Sequence, residues 1–442
     1  MKKNIYFLIP FAAALIFAAC DKKLDIEPAQ SISENLALDN DANVKSVLLG
    51  AYDAISSGSL LGGNAVRDAE LMGANGEIRW VGTFTSPREI FNHSMIAENG
   101  DAESRWTAAY KTINICNNVL DALAVVKSDD RSRVEGEARF LRAMSYFTII
   151  RFFGKNYEAG GANTQPGVPL VLRPTRGIDD TSFPTRNTVK EVYDQILDDL
   201  SKAQTLLPDD NGTAAGKYAA AALSARVYLQ MGNYAAARMQ ANEVIASGLY
   251  SLKSNFETEF NNEDNTSEDI FAMQVSNQDG DNNLVTFYSI PAYGGRDGDI
   301  EIEPSHLALY DTLDTRYLAH YEGAGAIRTS KWRDQYKNIP VIRLAEMYLI
   351  RAECDVRAGS SADDDYNATH TRAGLAPKSG VTLADVLLER RLELAHEGHR
   401  IHDIKRLKGT TDGLNYDDPK LVFPIPAREI EANSKLTQNE GY

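Results

Sequence analysis

Residues 214–248 read AAGKYAAAALSARVYLQMGNYAAARMQANEVIASG. Leu223, Ala225, Tyr228 and Leu229 keep helical spacing, and Ala237, Ala241 and Ile245 resume it after Gly232-Asn233-Tyr234. Apolar residues at three- and four-residue steps mark a helix with one face turned to a core. Gly232 allows the tight turn between the two runs. The alanines are small enough for two helices to pack closely. The stretch therefore predicts a helix, a tight turn and a second helix, ended by Gly248.

The same spacing recurs outward from this pair. It predicts helices over 42–56 (Val44, Leu48, Ala51, Ile55), 102–126 (Trp106, Tyr110, Ile113, Cys116) and 132–153 (Leu141, Tyr146, Ile150). Gly154 stops the third, and a helix over 188–206 stops before Pro208. Further helices are expected at 341–358 and 382–407. Glycine followed two residues later by tyrosine, with alanines at four-residue steps, resembles the tetratricopeptide (TPR) helix-turn-helix pattern. Residues 341–358 look like another first helix of that kind. Two long stretches, 61–98 and 249–340, lose the period and are punctuated by Gly, Pro and Asn. Within the second, 269–275 and 284–290 predict strands or extended loops. The fold class expected is mostly α: a TPR-like scaffold of helical pairs over 41–442, as one domain, with loop-rich insertions and little β. Long irregular insertions in a compact domain usually carry function.

Composition bounds the function. Apolar residues make up 43% and charged residues 24% of 442, enough for a large core. The net charge of −16 argues against a general nucleic-acid binder, which needs positive surface to displace counterions. Three cysteines rule out a disulfide scaffold. Lys2 and Lys3 precede an apolar run from Ile5 to Ala19, too short for a spanning helix that needs about 20 residues. It suits a signal peptide over 1–19. Phe17-Ala18-Ala19 before Cys20 resembles a bacterial lipobox, so Cys20 is expected to be acylated. Residues 20–40 then form a polar, lipidated tether. Cys116 and Cys354 lie in apolar helical patterns and read as small buried hydrophobes.

Six segments in order are similar to the SusD/RagB family of nutrient-binding outer-membrane lipoproteins of Bacteroidota. They are Leu24-Asp25-Ile26-Glu27-Pro28; Glu137-Ala138-Arg139-Phe140-Leu141-Arg142-Ala143 with Phe153-Gly154; Ser267-Glu268-Asp269-Ile270-Phe271; Pro340 through Glu353; Glu389 through Arg400; and Pro424-Ile425-Pro426 through Gly441-Tyr442. The resemblance implies a TPR-like domain with a loop-built ligand face and no enzymatic activity. It also implies an outer-membrane lipoprotein facing the cell exterior. Such a protein caps a SusC-like TonB-dependent transporter barrel and passes glycans, or sometimes peptides, into it.

Sugar binding uses flat aromatic faces against pyranose C–H patches, with amides, carboxylates or guanidinium groups pairing the hydroxyls. Trp80 lies in the irregular 61–98 stretch beside Arg79, with Asn75 and Glu77 before it. It is the first candidate stacker; the plain alternative is a loop tryptophan plugging its own small core. Phe84 and Asp68 are weaker companions. In the second insertion Tyr288 or Tyr293 is expected to stack, and Arg296 to bind hydroxyls or an anion; ordinary turn chemistry is the alternative. Trp106 reads as packing, and Trp332, between Lys331 and Arg333, reads as structural more readily than as a contact.

No cofactor and no metal is expected. In His396-Glu397-Gly398-His399 the histidines are three apart rather than four, with no third ligand evident, unlike the zinc-protease helix motif. Asp363-Asp364-Asp365 and Asp279-Gly280-Asp281-Asn282-Asn283 are oxygen-rich, but the second lacks the Glu that closes an EF-hand loop, so solvated acidic loops are expected. No phosphate-cradling loop and no nucleophile elbow is present. The leading expectation is a surface glycan-binding lipoprotein paired with a transporter. A peptide-binding branch comes second and a TPR scaffold for partner proteins third. A glycosidase, which needs two placed carboxylates, comes last.

Overall fold

The computed structural model describes residues 38–177, 182–278, 280 and 282–442. The expected signal peptide, Cys20, most of the tether, the 24–28 motif, Asp279 and Asp281 lie outside the described residues.

Fifteen helices are present among the described residues: α1 (Asp41–Ser56), α2 (Asn64–Met72), α3 (Thr85–Phe91), α4 (Gly100–Asp121), α5 (Ser128–Phe153), α6 (Val189–Leu206), α7 (Lys217–Gln230), α8 (Tyr234–Ala246), α9 (Asn283–Tyr288), α10 (Pro304–Leu307), α11 (Leu344–Arg357), α12 (Asp363–His370), α13 (Leu383–Glu393), α14 (Arg400–Arg406) and α15 (Ala427–Ala432). The stack runs α1 on α4, α4 on α5, α5 on α6, α6 on α7, α7 on α8 and α8 on α11, and α11 then carries α12 and α13. The pair α7–α8 is the one expected from 214–248. Ala219 to Ala222, Ala225, Ala237 and Ala241 are all buried, which lets the helices meet at close range. Asn233 caps α8 by accepting from the Ala236 amide. Helix α5 is buried almost all round by Phe140, Leu141, Tyr146, Phe147, Phe152 and Phe153.

Strand content is small and confined to two-stranded antiparallel ladders. They are β1 (Ile78–Trp80) with β3 (Ile300–Ile302), β2 (Asp269–Met273) with β6 (Ile339–Arg343), β4 (His320–Gly323) with β5 (Ala326–Thr329), and β7 (Thr410–Thr411) with β8 (Leu414–Asn415). No helix among the described residues is long and apolar enough to cross a membrane. Cys116 and Cys354 are buried, and burial pushes both thiols up to about 12.

Several local readings are corrected. The stretch 61–98 holds α2, β1 and α3. Helix α2 is hidden from an apolar-period reading because Arg67, Asp68 and Glu70 are themselves buried. Arg67 pairs with Asp68 (2.8 Å) and Asp101 (2.6 Å), and Arg105 also binds Asp68. Residues 284–290 fall in helix α9 and its exit rather than in a strand. The start of the 341–358 run belongs to β6, whose partner is β2.

The 382–407 run breaks into α13 and α14 around His396 (φ 65°) and Gly398 (φ 83°). A Cβ at Gly398 would lie 2.9 Å from the Val66 Cα, so the turn packs directly on the α2 backbone. The acidic run 363–365 opens α12 instead of forming a solvated loop. Asp363 accepts from the Gly380 and Val381 amides, and Asp365 pairs with Arg351.

The Glu389–Arg400 segment has a physical role in joining scaffold to insertion. Glu389, Glu393 and Glu397 succeed one another at four-residue steps and are buried with cations from elsewhere in the chain. Arg316 binds Glu389 at 2.6 Å, Arg343 binds Glu397 at 2.8 Å and Glu393 at 3.2 Å, and Lys331 binds Glu397 at 2.6 Å. The surrounding guanidinium groups hold the Glu393 carboxyl far below the usual range despite its complete burial. Breaking such a buried pair by removing one partner strands the other charge in a low-dielectric interior.

Candidate functional site

The two insertions meet on one side of the scaffold. Strand β1 pairs with β3 so that Arg79 faces Glu301 and Trp80 faces Ile300. This register carries the loop 81–84 up to the 287–299 segment. Phe287 lies 5.9 Å from Trp80 and 6.2 Å from Phe84, ring centre to ring centre. Arg296 reaches across the same gap. Its guanidinium lies 4.3 Å over the Phe84 ring and donates to Thr83 Oγ1 at 2.9 Å and Asp299 Oδ1 at 3.2 Å. Phe84 keeps 46% of its surface exposed and Val81 keeps 44%.

A second aromatic ledge adjoins this one. Tyr293, 40% exposed, ends a short 3₁₀ turn and packs edge-on against Tyr321, with ring centres 5.3 Å apart. The Arg333 guanidinium sits 5.3 Å from the Tyr293 ring and 5.7 Å from the Tyr321 ring. Both distances are within cation–π range. Arg333 makes no ion pair among the described residues and is half-buried. The ledge therefore offers an exposed π-face and a guanidinium with unused donors.

A separate cavity of about 290 Å³ opens between α2, α10, α13 and α14. Its charges are consumed internally. Glu77 meets His306, Arg391 and Arg400; despite partial burial these partners hold its carboxyl down at about 2. Glu70 accepts from the Gly398, His399 and Arg400 amides at 2.8, 3.0 and 3.4 Å. Burial outweighs these donors and pushes Glu70 up to about 7. The polar groups of this cavity serve to hold the α13–α14 turn.

Comparison with known proteins places this architecture. The family model described as "Starch-binding associating with outer membrane" matches residues 22–229, and the one described as "SusD family" matches residues 315–420. The chain belongs to the SusD family. The SusD-like protein P2 of Formosa agariphila is 26% identical over 521 aligned positions that cover 100% of both chains. The starch-binding protein SusD of Bacteroides thetaiotaomicron is 24% identical over 74% of this chain and 76% of its own. A solved SusD superfamily structure from Bacteroides thetaiotaomicron superposes with a TM-score of 0.82 at 24% identity, covering 90% of this chain and 99% of the other. The family is one of starch- and glycan-binding outer-membrane proteins, and no catalytic family is indicated.

Within this SusD-family fold the expected ligand residues divide. Tyr288 is corrected: it ends α9 pointing inward, is fully buried beside His396 with its hydroxyl unpartnered, and has no face to offer a ligand. Trp80 is also corrected from an exposed stacker. It is buried to 6% exposure and packs on Phe287 as part of the main hydrophobic core, not in a small core of its own. Asp68 is buried between Arg67 and Arg105.

Arg79 is exposed but engaged by Glu301 and by Glu303 at 2.8 Å. Asn75 is exposed on the far edge in a left-handed turn (φ 44°), where its side chain accepts from the Asp412 amide at 3.2 Å. Tyr293 lies at the exposed surface where the insertions meet, and Arg296 nearby is half-buried and engaged by Thr83 and Asp299. Trp332 is buried and donates to the His396 carbonyl at 3.1 Å, while Trp106 packs on Tyr110 and Phe153. The sequence reading missed Tyr321 and Arg333. Tyr321 is in the β4–β5 hairpin, and the side chain that follows buried Trp332 is the half-exposed Arg333.

Proposed function

We propose that the protein captures oligosaccharides on the Tyr293–Tyr321–Arg333 ledge, with Phe84 and Arg296 extending it. It then delivers them to a SusC-like TonB-dependent transporter barrel that it caps. Acylated Cys20 holds it to the outer membrane, with the ligand face toward the cell exterior. The observation that carries this reading is the exposed Tyr293 ring beside a guanidinium that has no carboxylate partner among the described residues. An aromatic face takes the apolar side of a pyranose, and the five guanidinium donors take its hydroxyls. The family's starch-binding description, and the name of the Bacteroides thetaiotaomicron relative, agree with that chemistry. The net charge of −16 favours neutral over polyanionic glycans at long range, though salt screens this beyond roughly 8 Å.

The test is retention of the protein in gels containing individual polysaccharides, with a parallel peptide panel. Wild type is expected to be retarded by at least one neutral glycan. Tyr293→Ala and Arg333→Ala should each weaken binding by about tenfold, or ~1.4 kcal/mol. Peptide binding alone, or glycan binding unchanged in both variants, contradicts the proposal.

A further inference from the structure

Three histidines from separate segments converge behind the cavity. His306 is in α10, His320 opens β4, and His396 is in the turn between α13 and α14. One ring nitrogen from each lies within 4.8 Å of the other two. Ring centres are 5.0 Å apart for His306 and His396, 5.8 Å for His306 and His320, and 6.2 Å for His320 and His396. A zinc ion held roughly 2.0–2.1 Å from each nitrogen in tetrahedral geometry sets three such ring centres about 5 Å apart. A modest inward shift of His320 completes that arrangement.

Hydrogen bonding fixes which nitrogens are available. His320 Nδ1 lies 3.1 Å from the Tyr317 carbonyl, which can only accept, so Nδ1 carries the proton. Its Nε2 therefore bears a lone pair, and that atom is buried with no partner. His306 Nδ1 lies 3.1 Å from Glu77, whose ionised carboxylate likewise requires the proton there. This leaves His306 Nε2 as an acceptor, now 3.2 Å from the Tyr310 hydroxyl. A carboxylate behind a histidine is the usual outer support of a metal-binding imidazole. His396 is buried, and neither of its ring nitrogens has a partner among the described residues. A buried polar atom left unpaired forfeits its hydration without compensation, so the two bare nitrogens of His396 call for a ligand.

We propose that His306, His320 and His396 bind one borderline divalent transition ion, zinc(II) being the type, with water in the fourth position beside the Tyr310 hydroxyl. Three neutral imidazoles suit such an ion and not calcium or magnesium, which take oxygen ligands. Lys331 is the nearby cation that opposes the ion, and its ammonium is bound to the Glu397 carboxylate and the Glu393 and Ala395 carbonyls. The ion would join the 304–323 segment of the insertion to the turn that leads into α14. That turn holds the His396 whose zinc-motif reading the sequence analysis set aside, and the partners proposed for it are His306 and His320, not His399. His399 instead faces Arg390 at 3.3 Å.

The test uses the purified full chain, stripped with chelator and titrated with zinc chloride alone. Expected are one zinc per chain by elemental analysis, a rise in Tm, and about three imidazole nitrogens around the metal by X-ray absorption. His320→Gln, at a half-exposed position, should weaken zinc binding by at least about tenfold while its zinc-free Tm and circular dichroism stay near wild type. His93→Gln, whose ring pairs with Asp412 and lies outside the cluster, should bind as wild type does. Absence of stoichiometric binding, metal without imidazole ligands in the wild-type absorption spectrum, or wild-type zinc affinity in His320→Gln would overturn the proposal.

Discussion

Glu70 shows how a single side chain couples the fold to pH. Its carboxylate receives three amides from the turn before α14, yet burial dominates and lifts it from the usual range to about 7. A folded-state value above the unfolded one means that the protonated form belongs to the native state. The stabilising contribution is complete below about 4.5 and is lost as pH rises through about 7. Chemical denaturation of wild type and Glu70→Gln should therefore diverge with pH. Wild type should lose on the order of 3 kcal/mol relative to the variant between pH 4.5 and 8. A difference that stays flat over this interval contradicts the burial argument. The same scale explains why two tyrosines five residues apart read alike in the sequence. Tyr288 closes a helix of six residues, too short for a period to show which way it faces, whereas Tyr293 sits in the exposed 3₁₀ turn that follows.

At the scale of elements, the helical pairs were the most legible part of the chain. The alanine-rich α7–α8 pair and the apolar α5 bury what their spacing says they bury. The illegible elements are those whose interior faces are charged. Helix α2 hides Arg67, Asp68 and Glu70, so its sequence reads polar and irregular. The α13–α14 run reads as continuous because nothing in its apolar pattern announces a break. The break is made by backbone conformation, at His396 and Gly398. Gly398→Ala should be costly, since it places a Cβ 2.9 Å from the Val66 Cα in a left-handed backbone. A loss of about 1–3 kcal/mol in unfolding free energy is expected, together with a lower Tm. A variant as stable as wild type would mean that this turn is not held tightly against α2.

For the whole molecule, the stack of helices forms a platform and the two insertions meet on one side of it. Buried ion pairs bind the two together. Arg316, Arg343 and Lys331 of the insertion half converge on Glu389, Glu393 and Glu397. That clamp fixes β6 and the 331–333 segment, and with them Arg333. The sequence places the candidate ligand face in two insertions that the structure brings together, but it cannot separate outward from inward aromatics within them. Those orientations depend on pairings such as β1 with β3, formed between residues more than 200 apart in the chain.

The proposed function rests on a sugar ring lying on the Tyr293–Tyr321–Arg333 ledge. The most direct measurement is the crystal structure of the protein bound to the oligosaccharide that it retains. The account predicts a pyranose against the exposed face of Tyr293 or Tyr321, with its hydroxyls within hydrogen-bond reach of Arg333. A sugar lodged instead in the cavity between α2 and α13, with this ledge bare, would contradict it.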